Sequence, residues 1–134
     1  MIRYDPGITG DTLALAFFPS DAREHWQVRI SYKATVSCVF GGRLEYMHNI
    51  LAHEFMHILG FRHWNAGFDE DEMQLPSVNL PGTLDRDRKS VMFTSVHDRL
   101  WFNREDYRAI RMVYSAPSGD RVGGCLIVNV DPYV

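Results

Sequence analysis

Cysteine is scarce in this chain: there are two in 134 residues, Cys38 and Cys125. That excludes a scaffold held together by many disulfides. It also excludes a cysteine-built metal ribbon, because neither cysteine has a second ligand at metal spacing. Two states stay open for the pair: one long-range disulfide pinning the C-terminal tail to the sheet, or two free, buried thiols. Long apolar runs are missing as well. None approaches the ~20 residues of a membrane span, so no membrane span is expected. The first residues lack the apolar stretch of a signal peptide. Positive charge is not concentrated anywhere: the formal net charge is −3, and Lys and Arg are scattered. That pattern argues against nucleic acid or an anionic membrane surface as a partner. Repeats and low-complexity tracts are absent. What is present is globular composition, 46% hydrophobic, in the normal range for a packed core. A single domain is expected over residues 1–134, with a core at 1–116 and a tail at 117–134.

The chemistry is concentrated in one stretch, His53-Glu54-Phe55-Met56-His57-Ile58-Leu59-Gly60-Phe61-Arg62-His63, which reads H-E-x-x-H-x-x-G-x-x-H. On a helix, His53 and His57 lie one turn apart on the same face and can reach one cation. Gly60 lets the chain leave the helix through a backbone conformation that a Cβ disfavours. The chain then returns His63 as a third ligand. Three imidazoles leave a fourth tetrahedral position open, which is the pattern of catalytic rather than structural zinc. Such a zinc acidifies water and polarises a carbonyl. Glu54 beside that position is the candidate general base, and later the general acid toward a leaving amine.

Around this stretch the chain reads as alternating short elements. Residues 12–18 form an apolar run ended by Pro19, consistent with a strand. Trp26, Val28, Ile30 and Tyr32 alternate with polar residues, as in a strand with one wet face. Gly41-Gly42 interrupts the chain before a helix over 43–59. In that helix Leu44, Met47, Leu51, Phe55 and Ile58 mark the expected core stripe. Residues 64–89 read as loop. Asn103 is a candidate N-cap for a last helix, with Glu105 and Asp106 in its first turn and Tyr107, Ile110, Val113 and Tyr114 on its apolar face. Residues 125–130 read as a strand or extended arm. The acidic run at Asp69-Glu70-Asp71-Glu72 suits a solvated surface better than a calcium loop. His25, His48 and His97 have no partner at ligand spacing and are expected at the surface. Trp64 and Trp101 are expected in the core or lining a substrate pocket.

The histidine motif resembles that of the metzincin clan of zinc endopeptidases. The resemblance extends to Ser90-Val91-Met92-Phe93, which is similar to the clan's Met-turn, with Met92 as the apolar floor of the site. Leu13-Ala14-Leu15-Ala16-Phe17-Phe18-Pro19 resembles the edge strand of matrixins, along which an extended substrate lies. Residues 100–114 resemble the closing helix, and the pattern near Arg62-His63 and 89–92 is similar to fungal metallopeptidase-domain proteins. The resemblance implies an α+β zincin-like fold, a mixed twisted sheet packed on the active-site helix with a C-terminal helix. It implies zinc held by His53, His57 and His63, Glu54 as catalytic base, a protein or peptide as substrate, and an extracellular location. Residues 93–95 would form part of the wall of the pocket after the scissile bond. Leu15 and Thr94 stand where matrixins have a histidine of a second zinc and astacins a tyrosine, so neither feature is carried over. Ile2-Arg3-Tyr4 resembles the end of an inner strand, with the clan's first strand and helix expected before Met1. The competing expectation is a zinc-stabilised binding module that does not cut.

Overall fold

Val28 and Ile30 are β-branched, one residue apart in period, and both buried, while Arg29 between them reaches toward solvent. They make β3 (Val28–Ile30), the middle strand of a mixed sheet ordered β1-β3-β2. In this computed structural model, residues 1–41, 43–63, 77–84, 87–93 and 101–128 are described, with backbone alone at 39 and 40. β1 (Ile2–Tyr4) runs parallel to β3, pairing Ile2 with Val28. β2 (Ala14–Leu15) runs antiparallel on the other side, pairing Ala14 with Ile30. Among the described residues the expected edge strand is therefore an edge strand, although its paired part is shorter than 12–18. Asp21 is the reason. Its carboxylate accepts the Phe18 N–H at 2.8 Å and starts a turn, and Phe17 stacks on Trp26 at 5.4 Å. Among the described residues β1 stands at the other end of the strand order.

The alternation expected to continue to Tyr32 stops at Ser31. The Ser31 hydroxyl accepts the Ala34 N–H at 3.1 Å, so it caps α1 (Tyr32–Thr35) instead of extending the strand. A serine side chain that satisfies a first-turn amide favours helix entry over a ladder. Tyr32 consequently lies outside the core. A single π-type turn (Val36–Phe40) then leads to α2 (Leu44–Ile58).

The expected core stripe of α2 is corrected. Leu44 is 57% exposed and Phe55 43% exposed, while Ile50, Ala52, His53, Glu54, Met56 and His57 are buried. Met47, Leu51 and Ile58 pack only at the margin of the core. The helix is covered on two sides, not one. Toward the sheet, Ile50 joins Ala14, Val28, Ile30, Ala34 and Cys38. On the other side Ala52 and Met56 join Val91 and Met92, flanked by Phe61, Phe102 and Ile110. A single-stripe reading assumes one buried face, and the second layer arrives from residues far along the chain.

α3 (Arg104–Tyr114) begins where expected. Asn103 Oδ1 accepts the N–H groups of Glu105 at 2.7 Å and Asp106 at 3.0 Å, and Asp106 returns a carboxylate to the Asn103 N–H at 2.9 Å. This is a reciprocal capping box. Its apolar face is only partly buried: Ile110 and Val113 are half-covered, and Tyr107 and Tyr114 are exposed. A two-stranded hairpin follows, β4 (Arg121–Val122) with β5 (Cys125–Leu126). Cys38 is buried, Cys125 is exposed, and both are free thiols, so the disulfide alternative is ruled out. Trp101 is half-exposed rather than core, and His25 and His48 are at the surface. The acidic run 69–72, Trp64, Thr94, Ser95 and His97 lie outside the described residues. Among the described residues, no helix is long and apolar enough to cross a membrane.

Candidate metal centre

α2 carries His53 and His57 on consecutive turns, both buried. The helix ends in a Schellman turn. The Phe61 N–H reaches the Met56 carbonyl at 2.9 Å, and the Gly60 N–H reaches that of His57 at 2.8 Å. Gly60 sits at φ +88°, in the left-handed region that glycine enters without a Cβ clash. Three residues after Gly60, His63 faces back toward the helix. Its Nε2 lies 2.8 Å from His53 Nε2 and 3.2 Å from His57 Nε2.

Hydrogen bonds to the other ring nitrogens decide what those Nε2 atoms are. His53 Nδ1 is 2.7 Å from the Val91 carbonyl, and His57 Nδ1 is 2.9 Å from the Phe61 carbonyl. A carbonyl oxygen only accepts, so each Nδ1 carries the proton. In the neutral ring each Nε2 then presents a bare lone pair. Two lone pairs thus point at a third imidazole nitrogen, which can offer at most one proton between them. A cation satisfies all three. Nitrogens sharing a tetrahedral zinc at about 2.0–2.1 Å stand ~3.3 Å apart, close to the observed separations. The three side chains can hold a metal ion, and all their ligand atoms lie within 4.8 Å of one another.

The carbonyl that orients His53 is itself fixed. Asp106, buried at the start of α3, accepts the Val91 N–H at 3.0 Å and the Ser90 hydroxyl; the Ser90 Oγ in turn accepts the Met92 N–H at 3.0 Å. One carboxylate therefore caps a helix and clamps the turn whose carbonyl aims a ligand. In sequence Asp106 reads only as a favourable first-turn charge. The Asn103-x-x-Asp106 capping pattern was a visible signal for more. Asp106→Ala is expected to lower unfolding free energy by about 2–4 kcal/mol, because several buried donors lose a charged acceptor. Urea denaturation checks this, and a parallel metal titration should show weaker binding.

Glu54 points into a cleft of about 250 Å³ bounded by residues 11–16 and Phe18 on one side and by His53, His57 and His63 on the other. Only 6% of Glu54 is exposed. Burial pushes its carboxyl from 4.5 up to about 7, and a backbone hydrogen bond from Ala16 pulls the other way. A larger cavity of about 390 Å³ between α2, α3 and residues 77–84 includes His63 and Met92 in its wall but not Glu54. Phe18, not singled out from the sequence, meets the His57 ring edge-on at 5.2 Å, and the Arg62 guanidinium lies 5.4 Å from the Phe18 ring.

The raised Glu54 pKa makes metal-free stability fall as pH rises. Folded protein keeps the proton between about 4.5 and 7, where the unfolded chain has lost it. The stabilisation is complete below the lower value and is lost on passing the upper one, a change of roughly 3 kcal/mol. Denaturation of metal-free protein at about pH 5 and about pH 8 is expected to show this loss, and Glu54→Gln should remove this component of the slope.

No family model, curated protein or solved structure matches the chain.

Proposed function

We propose that this chain is a zinc-dependent endopeptidase domain of metzincin type. The observation that carries the reading is the convergence of three imidazole nitrogens beside a buried carboxylate, in a cleft walled by an edge strand. His53, His57 and His63 would hold the ion, with Met92 packed in the cluster behind α2. Nitrogen donors with both ring orientations fixed by carbonyls suit zinc. Bound there, zinc would supply a Lewis acid that makes water more acidic and polarises a peptide carbonyl.

The remaining work falls to the chain's own groups. β2 gives a peptide its direction. The Leu13 carbonyl is spent on the Ser31 N–H at 2.9 Å, and Leu15 pairs with Arg29. By the alternation of an antiparallel ladder, the backbone groups of Ala14 face the opposite way, toward the cleft. An extended peptide adds there as a further strand. Glu54 takes a proton from the attacking water as the new C–O bond forms. It returns that proton to the amide nitrogen as the C–N bond breaks. A carboxyl whose pKa lies near neutrality serves both directions. The test is zinc content together with cleavage of a denatured protein substrate. One zinc per chain with cleavage supports the proposal. Zinc without cleavage identifies a binding module, and no stoichiometric zinc overturns both.

A further inference from the structure

At the end of α2, beyond the carbonyls that the Schellman turn satisfies, the Leu59 carbonyl is satisfied by another element. The carbonyls of Phe55, Met56 and His57 are taken by the N–H groups of Leu59, Phe61 and Gly60. The Leu59 carbonyl accepts instead from the Tyr114 hydroxyl, at 2.9 Å, across 55 residues of sequence. Tyr114 is 56% exposed, so the residue is not placed there mainly to bury its ring. Its hydroxyl is drawn into a less watery setting, and burial raises its pKa.

What that hydroxyl holds is the turn on which two ligands depend. The Phe61 carbonyl, two residues after Leu59, orients His57. His63, two residues further, is a ligand itself. Pro19 is a neighbour of the same turn: a Cβ on Gly60 would meet its Cγ at an ordinary contact distance of 3.7 Å. We propose that Tyr114 is a positioning residue of the metal centre: it acts through the Leu59 carbonyl to hold the turn that aims His57 and delivers His63. The inference rests on the metal-site reading above and extends the site's support to the last turn of α3. That helix is then tied to the centre twice, at its start through Asp106 and Val91 and at its end through Tyr114 and Leu59.

Tyr114→Phe removes one oxygen and keeps the ring, so the domain stays folded while the tether is cut. Tyr107→Phe is the control, on the same helix with its ring against Phe102. The readouts are zinc affinity by chelator competition, the rate of zinc release, and the visible spectrum of the cobalt(II)-loaded protein. Tyr114→Phe should bind zinc roughly three- to tenfold more weakly, as expected for one hydrogen bond. It should release zinc faster and shift the cobalt bands, while Tyr107→Phe matches wild type. If wild type binds one zinc and Tyr114→Phe is identical to it in affinity, release and spectrum, the inference is overturned, even where the variant melts earlier. If wild type binds no stoichiometric zinc, the metal-site reading itself has failed.

Discussion

Glu54→Gln is expected to abolish peptide cleavage while leaving zinc binding intact. The glutamine amide is nearly isosteric but cannot accept a proton from water at neutral pH, so both proton transfers lose their carrier. General acid–base catalysis of this kind contributes about 10²–10⁴-fold, and here one side chain serves both steps. A loss of at least about 10³-fold in kcat/KM is therefore expected, with little change in KM. Folding should not suffer. The wild-type carboxyl is desolvated, and its pKa is already pushed up to about 7, so an uncharged amide at the same place avoids burying a charge. The decisive comparison is zinc stoichiometry and cleavage rate measured on the same preparations. Equal cleavage by wild type and Glu54→Gln would remove Glu54 from the mechanism.

Stripping the metal is expected to have the largest effect on stability. Without an ion, His53, His57 and His63 bring nitrogens to within 2.8 and 3.2 Å of each other, with two lone pairs converging on one ring. A cation among them would relieve that crowding by giving each lone pair an acceptor. The histidines also join separate parts of the molecule. His53 reaches the turn at Val91, and His63, beyond the end of α2, meets His53 and His57 on that helix. Zinc in about a thousandfold excess over its dissociation constant stabilises the folded state by about 4 kcal/mol. For a chain of this length that corresponds to a fall of roughly 10–20 °C in Tm when a chelator removes it. Scanning calorimetry with and without chelator measures the shift. His63→Ala should already melt near the chelated value and be insensitive to added zinc. A melting temperature unaffected by chelation would show that no ion contributes to the fold.

Much of the site was legible because its spacing is local. The four-residue separation of His53 and His57 needs only helical geometry, and the glycine at 60 needs only its left-handed φ. The cap at Asn103 was readable for the same reason: a short polar side chain meets amides two and three residues ahead. The reading failed where a distant segment intervened. Leu44 and Phe55 have the right period for a core stripe, yet they are exposed, because the second layer over α2 comes from Val91 and Met92. Tyr32 has the right period for a strand, yet the Ser31 hydroxyl captures an amide ahead of it and starts a helix. Phe18 was legible only as part of the edge-strand run and Asp106 only as a favourable first-turn charge, and their neighbours in the fold are what bring them to the site.

The order of residues along the chain determined which groups gather at the candidate site: three imidazoles, a carboxylate and a glycine within one helix and its exit turn, where covalent spacing and helical pitch suffice. Tertiary structure decided their physical state. The proton on each Nδ1 is set by carbonyls of Val91 and Phe61, and the Glu54 pKa by its burial in the cleft beside β2. The steadiness of the exit turn comes from a tyrosine 55 residues away. Pitch is a property of neighbours in sequence, whereas desolvation and hydrogen-bond direction belong to whatever the folded chain brings alongside.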